Sequence, residues 1–190
     1  MKTPFGIHAE YVSERAVNNC VNMYKKDAHK IVPGKIGRNQ DVIPEYKDSL
    51  DCPIDIKEIK RLKIWHKEMH DVIDNYICKF PILRQHQPWG YVDGINIQYY
   101  KPGGGYPAEH CEIMSYSTSH RIMAFMTYLT DTKNGGTEFT YLNWKAPCKK
   151  GLTLIWPANY IYAHKGVISK TEDKMIITGW LGFNKGEQNE

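Results

Sequence analysis

Three residues of the sequence could hold one metal ion between them. His110 and Glu112 are two positions apart, and His164 is the only histidine that follows His120. If the first pair lies on a strand, both side chains point to the same face and can bind one ion. Two histidines and one carboxylate leave the other coordination positions open, which suits non-haem iron(II) that binds a co-substrate and oxygen. The H-x-E pattern is weak by itself, because it also arises by chance and in core packing.

A second histidine pattern is weaker still. The run His66-Lys67-Glu68-Met69-His70 places two histidines on one side of a helix. A zinc protease would need glutamate directly after the first histidine. Because Lys67 stands there and Glu68 is rotated away, we interpret the run as a partly exposed helix face.

The first 80 or so residues are typical of helices and loops. Apolar residues at helical spacing predict a helix over Tyr11 to His29, with Ser13 as its N-cap. The clearest helix is Asp55 to Lys79, where Asp55 and Glu58 form a capping-box pattern. We expect two loops, Val32–Cys52 and Phe80–Asp93, to select the substrate.

From about Trp89 the segments become short, aromatic and β-branched. The predicted strands are Gly94–Tyr100, Ile122–Thr130, Thr137–Leu142, Leu152–Trp156 and Lys174–Phe183. Breaks separate them at Pro102–Gly105, Asn134–Gly136 and Lys149–Gly151. Short strands without intervening helices indicate an antiparallel sandwich or barrel. We therefore expect a helical and loop support region, 1–88, and a β core, 89–190, packed as one compact unit.

Composition excludes several classes of protein. The chain is 42% hydrophobic with a net charge of +4, and its lysines are spread instead of clustered, which does not favour nucleic acid as a partner. No apolar run reaches the roughly 18 residues of a membrane span, so no membrane partner is expected. None of the five cysteines forms a CxxC pair, which indicates reduced thiols in a cytoplasmic protein.

The sequence around the histidines resembles that of a known family. Between Gln98 and Phe183 it reads QYYKPGGGYPAEHCE, HRIMAFMTYLTDTKNGGTEF, KKGLTLIWPANYIYAHKG and KMIITGWL. This stretch, about half the chain, resembles the iron(II)- and 2-oxoglutarate-dependent oxygenases, in their prolyl 4-hydroxylase-like branch of bacterial and phage type. The resemblance implies a mainly β fold, a double-stranded β-helix (a cupin-like jelly roll), with N-terminal helices bracing one sheet. If the gene comes from a phage, the location would be the host cytoplasm.

The resemblance also assigns the metal and co-substrate ligands. His110 and His164 match its iron-binding histidines, and Glu112 matches the iron-binding carboxylate. That carboxylate is usually Asp, and Glu is one methylene longer, so the local geometry must adjust. Lys174, ten residues after His164, matches the basic residue that binds the distal carboxylate of 2-oxoglutarate.

Four further residues match positions near the site. In the family, Tyr128 corresponds to a tyrosine that bonds the same carboxylate in some members, and Tyr100 to a tyrosine that lines the co-substrate pocket. Trp180 corresponds to an aromatic residue that flanks the site. Arg121 matches a frequent arginine whose role, structural or substrate-facing, stays open at this point.

The resemblance implies a dioxygenase that uses Fe(2+), 2-oxoglutarate and O2, with ascorbate as an optional reductant. Its leading substrate is a prolyl residue of a peptide or protein, and its products include succinate and CO2. The first alternative is an oxygenase acting on a free amino acid, a small metabolite or a nucleobase. The second is a cupin-like binding module without turnover. The oligomeric state stays open.

Overall fold

The structure, a computed structural model, describes residues 1–37 and 41–184. The α-helices in these ranges are α1 (Glu14–Lys26) and α2 (Lys63–Lys79). The strands are β1 (His8–Tyr11), β2 (Val32–Pro33), β3 (Leu50–Ile54), β4 (Trp89–Tyr100), β5 (Arg121–Tyr128), β6 (Thr132–Phe139), β7 (Trp144–Cys148), β8 (Leu152–Pro157), β9 (His164–Gly166) and β10 (Lys174–Phe183).

Two antiparallel sheets face each other. The main sheet has seven strands in the order β1-β8-β5-β10-β4-β3-β2, and the smaller one has three in the order β7-β6-β9. The two helices cover the outer face of the main sheet, where the fully buried Trp65 of α2 donates its indole N–H to Thr127 of β5 at 3.1 Å. The inner face contacts the small sheet through Tyr128, Phe139 and Trp156, which share a second apolar core. The fold is therefore mainly antiparallel β and jelly-roll-like, with one helical layer.

The first helix begins as the sequence predicts. The Ser13 hydroxyl accepts a hydrogen bond from the Ala16 amide at 3.2 Å and caps α1. The helix then buries one apolar face against α2 and the main sheet. It ends at Lys26, three residues before the predicted end.

The second helix is shorter than predicted. Residues Ile56–Leu62 form a 3-10 helix, and α2 starts only at Lys63. Asp55 does cap the 3-10 segment by accepting from the Lys57 amide at 2.8 Å. The predicted capping box is wrong, because the Glu58 carboxylate pairs with Lys30 and Arg61 instead of returning to Asp55.

The N-terminal region contains strands that the sequence did not predict. Strand β1 pairs with β8, and β3 pairs with both β2 and β4. The predicted loop Val32–Cys52 is therefore wrong at both ends. The predicted loop Phe80–Asp93 also contains the 3-10 helix Pro81–Gln85 and the start of β4. These strands are short or polar, and their pairing depends on distant partners that a local pattern does not reveal. The division into 1–88 and 89–190 stays a prediction.

The core strands follow the prediction more closely. The prediction for β10 is confirmed at both ends, and those for β5 and β8 are right within two residues. The expected break at Asn134–Gly136 is an irregular stretch inside β6, between its pairings at Thr132 and Thr137. A Cβ on Gly136 would collide with the Ala146 carbonyl oxygen, so this close approach requires glycine. Strands β7 and β9 were not predicted.

No helix within the described ranges is long and apolar enough to cross a bilayer. The five cysteines all lie in the described part and are free thiols.

Candidate metal centre

The structure brings His110, Glu112 and His164 together. One ligand atom from each lies within 4.8 Å of the other two, and the described ranges contain no other such group of three His, Cys, Asp or Glu residues. The backbones of His110 and His164 exchange two hydrogen bonds, of 3.0 and 2.8 Å. His164 also pairs with Phe139 of β6. The small sheet therefore fixes the separation of the two histidines.

The segment around His110 is not a strand, which was the condition under which the sequence placed His110 and Glu112 on one face. His110 forms one isolated bridge, and the residues up to Glu112 are irregular. The amides of Glu112 and Ile113 both donate to the Ala158 carbonyl at 3.1 Å. The two side chains converge because these backbone bonds hold the irregular segment against the residues that follow β8, and not through strand alternation.

Each histidine presents the ring nitrogen that a metal needs. His110 Nδ1 lies 2.9 Å from the Ala108 carbonyl oxygen, and His164 Nδ1 lies 2.9 Å from that of Tyr162. A carbonyl oxygen only accepts, so Nδ1 carries the proton and the Nε2 of a neutral ring keeps its lone pair. Tyr106 stacks on His110 with ring centroids 4.0 Å apart, which further fixes the ring plane.

Electrostatics favour the protonation states of a ligand set. Burial, followed by the neighbouring His164, lowers the pKa of His110 to about 4. Burial alone would raise the pKa of Glu112, but the hydrogen bond and charge of His164 outweigh it and lower that pKa to about 2. His164 Nε2 and Glu112 Oε1 are 3.4 Å apart. At neutral pH, Glu112 is therefore anionic and His110 is neutral, as metal binding requires.

Trp180 contacts the carboxylate of Glu112. Its indole N–H donates to Glu112 Oε2 at 2.5 Å. The guanidinium of Arg121 lies 3.8 Å from the centre of the same ring, and its Nε donates to Asp93 Oδ2 at 2.7 Å. Arg121 also donates to the backbone carbonyl of Glu112 at 3.3 Å. In this structure Arg121 therefore supports Trp180 and the Glu112 backbone.

Replacing Trp180 with Phe should weaken metal binding about 10- to 100-fold, the usual cost of losing a hydrogen bond to a ligand. Trp156→Phe is the matched control, because its ring also contacts His164 while its N–H has no partner among the described residues. Calorimetric titration with manganese(II) measures both affinities. Equal affinities for the two variants would show that the indole bond to Glu112 does not support the metal.

Lys174 is a buried cation beside this centre. Only 5% of its surface is exposed, and burial lowers the pKa of its ammonium to about 8. In the sheet it lies directly opposite Tyr100, whose ring centre is 4.8 Å from Nζ. Within the described residues its ammonium donates one hydrogen bond, to the Val167 carbonyl at 3.3 Å, and forms no ion pair with a carboxylate. Burial of an ammonium without a counter-ion is costly, and a bound anion would relieve that cost.

The two predicted tyrosines lie on the same inner face, and both are almost fully buried. Tyr128 donates its hydroxyl to Thr137 at 2.7 Å, and Tyr100 donates to Gln98 at 2.6 Å. Tyr128 pairs with Ile176, two residues along β10 from Lys174. Both hydroxyls are thus bonded to protein partners.

Sequence reasoning missed several residues around the site. Tyr106 was not singled out, although it stands only four positions before His110. Lys47, Asp51 and Gln98 form a buried polar chain that reaches Tyr100. Asp51 and Lys47 precede the recognised stretch by about 50 residues, so only the pairing of β3 with β4 reveals them.

The second histidine pair does not join this centre. His66 and His70 lie on α2, with their Nε2 atoms 3.0 Å apart and Tyr91 beside them. Glu68 instead accepts from the backbone and hydroxyl of Ser13. The pair therefore offers two ligands on the outer helical layer, and its interpretation as a partly exposed helix face is retained.

Comparison with known proteins returns structural relatives. Neither a family model nor a curated protein matches the sequence. A viral collagen prolyl hydroxylase from Paramecium bursaria Chlorella virus-1, solved with 2-oxoglutarate, aligns with a TM-score of 0.69 at 17% identity, covering 94% of this chain and 96% of that one. A Pseudomonas putida prolyl-4-hydroxylase aligns with a TM-score of 0.69 at 14% identity over 94% and 93% of the two chains.

A third relative was solved with a peptide. It is a Trichoplax adhaerens prolyl hydroxylase in complex with a fragment of the hypoxia inducible factor oxygen degradation domain, with a TM-score of 0.68 and 12% identity over 94% of this chain and 84% of that one. At these identities the alignments establish the fold. The chain therefore has the fold of the prolyl hydroxylases.

Proposed function

We propose that the protein is an iron(II)- and 2-oxoglutarate-dependent dioxygenase that hydroxylates a C–H bond. One observation carries the proposal: β9 contains His164 of the histidine–carboxylate cluster and also Gly166, where a Cβ atom would lie 3.5 Å from Nζ of the buried Lys174. The cluster has the ligand types of a metal site, and the lysine supplies a positive charge for an anion. A keto dicarboxylate that chelates the metal at one end and meets a cation at the other fits both.

The residues fit iron(II). Two imidazole nitrogens and one carboxylate oxygen form the donor set of non-haem iron(II) oxygenases, in which other positions stay open. His110, Glu112 and His164 would hold the ion, with Glu112 already anionic and His110 already neutral at pH 7. Bound iron would supply the oxidation of a C–H bond by O2, coupled to decarboxylation of 2-oxoglutarate to succinate and CO2.

The chain's own residues bind and enclose the co-substrate. Lys174 would pair with the distal carboxylate, because a carboxylate there relieves the cost of the buried ammonium. Tyr128 and Tyr100 would line the same pocket, and Trp180 would flank it from the side of Glu112. Phe139 and Trp156 surround His164 with ring contacts of 5.4 and 5.1 Å, which keeps water away from that ligand. Ascorbate is an optional reductant in this proposal.

The two facing sheets support a finer description of the fold as well. We propose that they form the double-stranded β-helix of cupin type, with α1 and α2 bracing the larger sheet. Two observations support this description. The strands form a seven-stranded and a three-stranded sheet, and the three-stranded sheet contains His164.

The proposed substrate is a prolyl residue of a peptide or protein. The structural relatives that carry this proposal are named as prolyl hydroxylases, and one of them was solved with a peptide. The segment between Glu112 and β5 also displays exposed apolar side chains, with Met114 71% and Tyr116 96% exposed. In this proposal, these side chains contact the polypeptide substrate.

The test uses iron(II)-loaded protein in air with 2-oxoglutarate and a panel of proline-containing peptides. Expected results are succinate formation and one added oxygen atom on a prolyl residue by mass spectrometry, both lost in His164→Ala. Oxygen insertion into a free amino acid, metabolite or nucleobase instead would redirect the substrate assignment. If 2-oxoglutarate binds but no succinate forms with any substrate, the protein is a binding module.

A further inference from the structure

A line of buried polar side chains crosses the inner face of the main sheet and ends at Tyr100, beside Lys174. Asp51 of β3 lies opposite Gln98 of β4, and Tyr100 lies opposite Lys174 of β10. Gln98 and Tyr100 are two apart on one strand, so they share a face. The members are between 3% and 7% exposed: Lys47, Ser49, Asp51, Gln98 and Tyr100.

Hydrogen bonds join these residues into one chain. Asp51 accepts from Lys47 Nζ at 2.5 Å and from the Ser49 hydroxyl at 2.7 Å. The amide nitrogen of Gln98 donates to Asp51 at 3.4 Å, and its carbonyl oxygen accepts the Tyr100 hydroxyl at 2.6 Å. The Lys47–Asp51 ion pair thus connects to Tyr100 through a single amide.

The donor and acceptor of each hydrogen bond in this series follow from the chemistry of its members. A carboxylate that faces an ammonium and a hydroxyl donor only accepts, so the NH2 group of Gln98 must point to Asp51. The carbonyl oxygen of Gln98 then points to Tyr100, whose one hydroxyl hydrogen is committed to it. Tyr100 therefore contacts Lys174 through its ring, whose centre is 4.8 Å from Nζ.

Burying this series of hydrogen-bonded side chains costs folding free energy, because each polar group has lost its contacts with water. An apolar residue at position 98 would pack on this face without needing any partner. The arrangement fixes the rotation of the Tyr100 ring, and that ring and the Val167 carbonyl are the groups that hold the Lys174 ammonium. Loosening the ring would let the ammonium move off the line of an incoming carboxylate.

We infer that Gln98 and Asp51 are positioning residues for 2-oxoglutarate, acting through the Tyr100 ring on Lys174. The inference rests on the proposed function. It adds that co-substrate affinity depends on a series of hydrogen-bonded side chains that begins on β3 and in the segment before it. Neither residue needs to contact the co-substrate.

The test is a double-mutant cycle in the full protein. Calorimetry measures 2-oxoglutarate binding to the manganese(II)-loaded protein, so that no turnover intervenes. Gln98→Leu and Tyr100→Phe each remove the same hydrogen bond, and each should raise the dissociation constant about fivefold, the size of one such bond. The double variant should be no weaker than the weaker single, because both changes act on one interaction. Manganese affinity should not change.

Asn96→Leu is the matched control. Asn96 is two positions before Gln98 on the same face, and its side-chain oxygen has no partner within the described ranges. This amide-to-leucine change should leave the 2-oxoglutarate affinity within twofold of the unaltered protein. Thermal unfolding of every variant shows whether it is folded.

Three results would overturn the inference. The first is an unchanged affinity in Gln98→Leu, and the second is effects that multiply in the double variant. The third is a joint loss of manganese and 2-oxoglutarate affinity in Gln98→Leu with a lowered Tm, which would mark Gln98 as structural. A failure of the unaltered protein to bind 2-oxoglutarate is a different outcome, since it removes the proposed function itself.

Discussion

Replacing Lys174 with Met should abolish 2-oxoglutarate binding and, at the same time, stabilise the protein. The ammonium is 5% exposed and has no anionic partner in the described part of the chain. Burial lowers its pKa to about 8, which corresponds to about 3 kcal/mol of unfavourable free energy in the charged form. Methionine has a similar length and no charge, so it removes this cost. We expect the free energy of unfolding to rise by about 1–3 kcal/mol in urea titrations at pH 7.

The pH dependence gives a check on the same group. Because the folded pKa of about 8 lies below the value of an exposed lysine, the unfolded chain binds more protons between the two. The penalty is fully present below pH 8 and fades as the pH rises towards the value of an exposed lysine. The stability advantage of Lys174→Met should therefore shrink above pH 8. An advantage that stays constant with pH would mean that the ammonium is not its cause.

Co-substrate affinity should also fall as the pH rises above about 8. In the unaltered protein, 2-oxoglutarate should bind more weakly as the pH rises above about 8, since the pocket loses its cation. Lys174→Arg keeps the charge throughout this range and should lose that dependence. If Lys174→Met still bound 2-oxoglutarate with the original affinity, the anion site would lie elsewhere.

Removing any one of the three clustered ligands should cost more metal affinity than removing a residue that only supports them. We expect His110→Ala, His164→Ala and Glu112→Ala each to weaken manganese(II) binding by more than about 100-fold, beyond the usual loss for a supporting hydrogen bond. His66→Ala is the matched control, because it removes a histidine from α2 without touching the centre. Equal losses in the control and the three variants would contradict the assignment.

Glu112→Asp probes the length of the carboxylate. Glu112 uses one oxygen towards Trp180 and the other towards His164. Asp is one methylene shorter and cannot keep both contacts from the same backbone position. We therefore expect weaker metal binding in Glu112→Asp as well, although Asp is the usual residue of the family that the sequence resembles. Unchanged affinity would show that the Trp180 bond does not set the position of the carboxylate.

The sequence predicted the cluster for a partly incorrect reason. The spacing argument applies if His110 and Glu112 share one face of a strand, whereas the segment is irregular and held by the Ala158 carbonyl. The residue types and the surrounding motif identified the three side chains. The backbone that brings them together depends on contacts between segments about 50 residues apart, which no local pattern contains.

The strands differ in the same way: some are evident from their own sequence, and others form only through a distant partner. Strand β10, with the sequence KMIITGWLGF, is rich in β-branched, aromatic and other apolar residues, and its ends were predicted correctly. Strand β3, with the sequence LDCPI, contains Asp51 and Pro53, which are poor strand formers. It becomes a strand because β4 offers it a partner. For the same reason the polar chain from Lys47 to Tyr100 could not be predicted, since it exists only through that pairing.

The most direct test of iron and 2-oxoglutarate binding is an anaerobic titration of the protein with iron(II) in the presence of 2-oxoglutarate, followed by visible absorbance. A keto acid chelated to iron(II) gives a weak charge-transfer band. The band should grow until one iron is bound per chain, and it should be absent in His164→Ala and in Lys174→Met at the same concentrations. No band in the unaltered protein, or an undiminished band in His164→Ala, would contradict the proposed centre.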